Sequence, residues 1–380
     1  MKVTIIGGGI GGLTAAIALR NRGVEAHVYE RSPALMEVGA GISLWPNAVK
    51  ALRTLGLGEG LRSISPETSN FALRRWDGSF ISRTPARELV RRFGGGVLLL
   101  HRAELLNLLA ENFGVDHLHL DHTCVGIEED VDGVIARFGN GETARADVLI
   151  GADGLRSTVR SWLGHSDPVR YSGYTAWRSV VRFDISRIVA SETWGCGQLF
   201  GIHPLTNGRV YWYATANTAE GGNDLARGSM DALLTLFKEW HEPVEALIRA
   251  AGASILRNDV YDRDPIPRWG RGRVTLLGDA AHPMVPNLGQ GACQAIEDAA
   301  ELAWCLTNEP DAEAGLKRYE ALRIARTRDI VLASRRMAAL GQISSPMLCR
   351  LRDLAVRLTP NAASLRSLAP VVGYESKHWS

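Results

Sequence analysis

The chain opens with an unbroken apolar run, residues 2–6 (KVTII), followed by a stretch rich in alanine and leucine over residues 10–22. Such a short continuous run reads as a strand buried on both faces, and the longer stretch as a helix. A second strand, residues 24–30 (VEAHVYE), ends in Glu30, and the three segments have the length of a βαβ unit. Residues 48–56 (AVKALRTLG) show helical spacing with a glycine stop, residues 71–83 predict a hairpin around Asp77-Gly78, and residues 101–114 predict an amphipathic helix. Residues 117–150 break into strand-like pieces with turns at 131–133 and 139–141, ending in the apolar run ADVLIGADG. From about 170 to 260 the pattern changes to Trp, Tyr, Phe and β-branched residues, as in YSGYTAWRSVVRF and GRVYWYATA, which predicts an inserted antiparallel sheet. Residues 272–306 return to strand, glycine turn and long helix, and the remainder is helical and arginine-rich.

Composition narrows the function classes. A net charge of +2 over 380 residues gives no reason to expect nucleic acid or an anionic membrane as partner. The cysteines, Cys124, Cys196, Cys293, Cys305 and Cys349, are far apart, odd in number and form no C-x-x-C, which argues against a disulfide framework and a zinc site. A strand beginning at residue 2 or 3 leaves no room for a signal peptide, and no apolar stretch reaches the roughly 18 residues of a membrane span. The expectation is a soluble cytoplasmic protein, monomer or homodimer.

The chemistry sits in three glycine turns. Gly7, Gly9 and Gly12, with Gly11 between them, have the spacing of a dinucleotide phosphate turn, and the following helix N-terminus offers free N–H groups to phosphate. Glu30 stands where a carboxylate accepts hydrogen bonds from ribose hydroxyls and repels a 2′-phosphate, which disfavours NADP at this turn. A simple NAD dehydrogenase leaves the other two turns unexplained: GADGLRSTVR, 151–160, and LLGDAAHPMVPNLGQGACQAIEDA, 276–299. A long two-ended dinucleotide such as FAD needs several such contacts. The expected organisation is a discontinuous nucleotide domain (1–70, 98–168 and 262–335), a substrate sheet domain (71–97 and 169–261) and a C-terminal helical segment (336–380).

With these three motifs in this order, the sequence resembles the group A FAD-dependent aromatic hydroxylases, flavoprotein monooxygenases of the p-hydroxybenzoate hydroxylase fold. It is similar to salicylate, 6-hydroxynicotinate and urate hydroxylases, and the resemblance runs to about residue 335. It implies an α/β architecture: a Rossmann-like FAD-binding domain of the GR2 type with an inserted mixed or antiparallel β-sheet substrate domain and C-terminal helices. By match, Glu30 and Arg31 contact the adenosine ribose region, and Ser43 in GAGISLWPNAVKAL (39–52) lies by the isoalloxazine or ribityl. Arg102 contacts the flavin's linking chain, Val125 pairs its backbone with the adenine, and Asp153 and Gly154 serve FAD and the pyridine nucleotide. Asp279 binds ribityl hydroxyls, while Leu288, Gly289, Gln290 and Gly291 set N–H groups against the flavin pyrimidine or phosphate.

The resemblance also implies a reaction. NADH or NADPH reduces FAD, oxygen adds to give a flavin C4a-hydroperoxide, and its distal oxygen passes to an electron-rich aromatic or heteroaromatic ring. Such a site must be dry and aromatic-lined. Alternation puts Tyr211 and Tyr213 on one sheet face and Trp212 on the other. Tyr211 and Pro286 match positions beside substrate and flavin and are the candidates nearest the chemistry; no residue is assigned as base. His203, Trp177 and Arg178 are further cavity candidates, although core packing explains Trp177 and Trp212 equally well. The run DHLHLDH, 116–122, invites a metal, but a strand placing His117, His119 and Asp121 on one face is also a solvated edge, and no metal is expected. His282 reads as orienting its turn, since no G-x-S-x-G completes a hydrolytic triad. An epoxidase or secondary-metabolite tailoring oxygenase is the alternative within the class. A flavin halogenase lacks its tryptophan signature here, and a non-catalytic FAD-binding redox sensor is the reading from outside enzymology.

Overall fold

The computed structural model describes residues 1–35, 40–65, 70–222 and 228–379. A five-stranded parallel sheet forms its centre, in the order Val274–Leu276, Val148–Gly151, Lys2–Ile6, Glu25–Tyr29, Leu118–His119. Val3, Ile5, Val148, Leu149 and Ile150 are fully buried in it, as continuous apolar runs require when both faces are covered. The helices Ile10–Arg20 and Gly291–Asn308 pack against each other over this sheet, and a three-stranded antiparallel sheet (Cys124–Asp130, Gly133–Phe138, Thr143–Ala146) contributes Val134, Ala136 and Phe138 to the same core.

The second layer is a seven-stranded sheet in the order Leu256–Asp262, Arg170–Arg182, Arg209–Asn217, Gln198–Pro204, Ser191–Trp194, Phe71–Arg75, Phe80–Thr84. It is mixed rather than purely antiparallel, because Ser191–Trp194 runs parallel to Phe71–Arg75 where the Asp77-Gly78 hairpin joins its edge. Two helices inside this region, Ser229–Leu236 and Val244–Ala251, cover its outer face; the aromatic-rich pattern around them did not separate them from strands.

Other departures from the sequence reading are local. The histidine run forms a turn (Val115–His117) and a strand of only Leu118–His119, so His117, His119 and Asp121 do not share a strand face. Asp121 adopts φ +58°, and the His119 ring stacks on Tyr29 at 4.5 Å. The helix Ala312–Gly341 runs unbroken through residue 335, so a boundary there cuts a continuous element. Beyond it, helix Pro346–Leu358 touches the edge strand Phe80–Thr84. Helix Asn361–Val372 packs Leu365 and Val372 onto Leu89, Phe93 and Val97. The Tyr374 hydroxyl then donates to Glu301 at 3.1 Å, and His378 meets its other oxygen at 3.0 Å. The C-terminal segment therefore braces the large sheet against the nucleotide domain. Among the described residues no helix is long and apolar enough to cross a membrane.

Candidate active site

The first glycine turn is shaped by close contacts. Gly7 has φ +110° and donates its N–H to the Tyr29 carbonyl at 2.8 Å; a Cβ there would lie 2.3 Å from the Ala152 oxygen. A Cβ on Gly12 would lie 2.0 Å from the Gly7 oxygen, and one on Gly11 2.7 Å from Leu277. Gly9 alone of this group has nothing within 4 Å of its missing Cβ, so an open face is left at the N-terminus of the Ile10–Arg20 helix, which no side chain caps. Glu30 stabilises the turn directly, its carboxylate accepting from the Gly8 N–H at 2.7 Å and the Ser32 N–H at 2.9 Å. Arg31 is exposed. Val125 is the extra residue of a bulge between Cys124 and Gly126, which takes it out of the regular ladder, and its side chain is 60% exposed.

In the second turn, one oxygen of Asp153 accepts from the Thr158 and Val159 N–H groups (2.7 and 3.2 Å) at the start of a short helix. Its other oxygen is buried with no partner among the described residues, and burial raises its pKa. Gly154, at φ +80°, leaves open space beside it. Arg160, 1% exposed, donates to the carbonyls of Ala280 and Ala281 (2.9 and 3.0 Å) and forks onto Asp167. It thereby fastens the second turn to the third.

The third turn rests on a buried ionic network. Asp298 accepts from the Gly278 N–H (3.1 Å), meets His282 at 2.5 Å, and takes Arg323 Nε at 2.6 Å. Burial would raise the Asp298 carboxyl, but His282 and Arg323 outweigh it and hold the pKa at about 2. Glu297 beside it joins Arg323 and Arg326 to Asn47, and Asn47 Nδ2 donates to the side-chain Oε1 of Gln290 at 3.1 Å. Gln290 keeps a buried amide nitrogen without a partner among the described residues. It caps the 18-residue helix Gly291–Asn308, whose first turn has neither a side-chain cap nor an acid. Leu288 and Gly289 are half-buried, Gly289 close under Trp45. Asp279 lies deep in the fold yet its side chain is open to the cleft; its depth raises its pKa, opposed by the charges of His282 and Arg102. Ser43 is half-buried, with its carbonyl facing the Cys293 thiol. Gly39 lies outside the described residues.

The large sheet meets these turns through Tyr174 and Tyr211. Tyr174 donates to Asn287 at 2.6 Å, next to Pro286, which is exposed. Tyr211 lies so close to Gly41 that a Cβ there would be 2.3 Å from its ring. Register places Tyr211 opposite Val180 and His203, and Tyr213 opposite Arg178 and Gly201, so Tyr211, Tyr213, His203 and Arg178 share one face. The Arg178 charge lies near enough to act on the Tyr211 phenol, and Tyr213 donates a short hydrogen bond to Glu192. Burial raises both phenols, that of Tyr213 well above its usual value. Trp177 is the sequence candidate that does not join them. At 2% exposure it lies on the opposite face with Trp212 and Phe200, under the two covering helices, because its odd-numbered strand position points away from the tyrosines. Sequence reasoning missed Arg160, Arg323, Asn47 and Tyr174; the adjacent acids Glu297-Asp298 within an apolar helix were the one available signal.

Three turns converge on one cleft, each presenting unspent N–H groups or carboxylates, and the first leaves a backbone face free of side chains. That is the architecture of a dinucleotide-binding protein with a second sheet set against the binding turns. A family model described as "FAD binding domain" matches residues 1–334, and the chain belongs to that family. It is 42% identical to an aurachin C monooxygenase/isomerase of Stigmatella aurantiaca, over 94% of each chain. It is 36% identical to an FAD-dependent urate hydroxylase of Klebsiella pneumoniae, covering 88% of this chain and 89% of that one. The crystal structure of Klebsiella pneumoniae HpxO complexed with FAD and uric acid superposes with a TM-score of 0.92 at 32% identity, over 98% of this chain and 96% of that one. The protein is an FAD-dependent monooxygenase of the group A flavoprotein hydroxylase type.

Proposed function

We propose that the protein uses NADH or NADPH and O2 to hydroxylate a small aromatic or heteroaromatic ring held between the Tyr211–Tyr213 face and the third glycine turn. The observation that carries this is the meeting of an aromatic, hydrogen-bonded sheet face with the cofactor cleft, at Gly41 and at the Tyr174–Asn287 bond. The cleft fits FAD. The open Gly9 face and the uncapped helix behind it would take the pyrophosphate, with Glu30, Arg31 and the bulged Val125 at the adenosine end. Asp279, Arg102 and Ser43 would hold the ribityl and linking chain. Among the described residues Asp153 has an unpartnered carboxylate oxygen and Gln290 an unpartnered amide nitrogen, each suited to a cofactor polar group, with Gly154 leaving open space and Leu288, Gly289 and Gly291 flanking Gln290. When bound, FAD supplies the electron transfer from nicotinamide to oxygen on which the oxygenation depends.

The protein's own part is orientation, electrostatics and dryness. The N-terminus of the Gly291–Asn308 helix would stabilise negative charge on a cofactor held there. Tyr211, Tyr213 and the flanking strands exclude water, and Arg178 sets its positive charge on the same sheet face. Pro286 shapes the third turn where substrate and cofactor meet.

Absorption spectroscopy tests this reading. The purified protein, titrated anaerobically with NADH or NADPH in the presence of phenols and aromatic acids, should be yellow, and its flavin should bleach faster with one ring compound than without. A colourless protein that takes up no FAD, or a flavin indifferent to every ring compound, overturns it.

A further inference from the structure

We propose that His203 is the residue that selects the substrate, its imidazole hydrogen-bonding a neutral polar group on the ring (a hydroxyl, amine or lactam) rather than a carboxylate. This rests on the hydroxylase reading above and adds to it the group that is read. His203 is 7% exposed, on the strand Gln198–Pro204 directly opposite Tyr211. Its ring centroid lies 5.9 Å from that of Tyr211, 5.6 Å from Tyr213 and 6.5 Å from Phe71, forming an aromatic cage.

The phenol of Tyr213 in this cage is already committed. The Tyr213 hydroxyl is spent on Glu192, whose second oxygen takes the Trp194 indole N–H at 2.6 Å. Neither nitrogen of His203 has a hydrogen-bond partner among the described residues. An orphaned buried imidazole is costly unless something completes it, and the ligand cleft supplies the occasion. The Trp212 indole N–H also has no partner among the described residues, but it lies at 0% exposure in the helix-covered core, whereas His203 is on the face that meets the cofactor cleft. Burial pushes the His203 pKa down to about 4, so near neutral pH it offers one N–H donor and one acceptor. That pair suits a neutral hydroxyl, amine or lactam; a carboxylate would face a lone-pair nitrogen as well as a single donor.

The test titrates 2-pyridone, 4-aminophenol, uric acid and salicylate into oxidised holoprotein and reads dissociation constants from the flavin absorption change. His203→Phe should retain FAD and should bind the tightest non-carboxylate probe about 10-fold more weakly. His203→Gln, which keeps a donor and an acceptor, should recover part of that loss. In wild-type protein the ¹⁵N resonances of the His203 ring should shift when that probe is added, a measurement that does not depend on the variant folding. Wild-type affinity retained by His203→Phe, or unmoved imidazole resonances, overturns the role of His203 alone. Salicylate binding more tightly than the other three probes overturns the selected class, and a wild-type flavin indifferent to all four overturns the hydroxylase reading beneath it.

Discussion

The turn after the first strand and the turn after Val274–Leu276 both aim backbone N–H groups at one cleft, yet different forces hold them. The first is steric and local: Gly7, Gly11 and Gly12 are glycines because any Cβ would strike Ala152, Leu277 or the Gly7 carbonyl. The third is electrostatic and assembled from afar, with Asp298, Glu297, Arg323 and Arg326 arriving from two helices to pin Gly278, His282 and Asn47. A steric turn fails where it stands. A charged one, at 0% exposure for Arg323, Glu297 and Asp298, takes the surrounding core with it.

The largest effect should follow from Arg323→Leu, which leaves two buried carboxylates short of their cation and costs about 3–5 kcal/mol. Thermal unfolding should show a lower Tm for apoprotein and holoprotein alike, and an unchanged Tm would erase the contrast between the turns. Gly12→Ala should cost less in stability, about 1–3 kcal/mol, but should strip the flavin. The ratio of flavin to protein after gel filtration measures this, and a yellow Gly12→Ala protein would show that the first helix can shift.

The charged turn should also show itself in acid. Because the Asp298 carboxyl is held at about 2 in the fold against its ordinary 3.8, its stabilising contribution is complete above the ordinary value and drains as pH falls through 2. Urea unfolding between pH 5 and pH 2 should steepen accordingly, and Asp298→Asn should flatten the slope while lowering stability throughout. The smallest change belongs to the first turn: Glu30→Gln weakens the bonds to Gly8 and Ser32 by about 0.5–1.5 kcal/mol, a few-fold in FAD affinity by fluorescence titration. A larger loss would mean that the first turn, too, depends on charge.

The same division explains what could be read in advance. The βαβ unit, the three glycine turns, the Asp77-Gly78 hairpin and the alternation of Tyr211, Trp212 and Tyr213 were legible because each depends on neighbours within a few residues. The helices Ser229–Leu236 and Val244–Ala251 were not, since they stand in a stretch whose aromatic and apolar richness reads as strand. Trp177 kept two explanations until strand register put it beneath those helices. Arg323 could not be matched with residues 25 positions away, because an arginine in a long helix carries no local mark of its partner.

By itself the sequence determined the class of fold, the cofactor and the order of the binding turns, because glycine spacing and hydrophobic period are short-range constraints on backbone and burial. Only the tertiary structure decided which charges are buried together, which sheet face meets the cleft, and that among the described residues His203 keeps two unspent nitrogens there. Those follow from long-range packing, where satisfied and unsatisfied polar atoms are defined by neighbours far away in the chain.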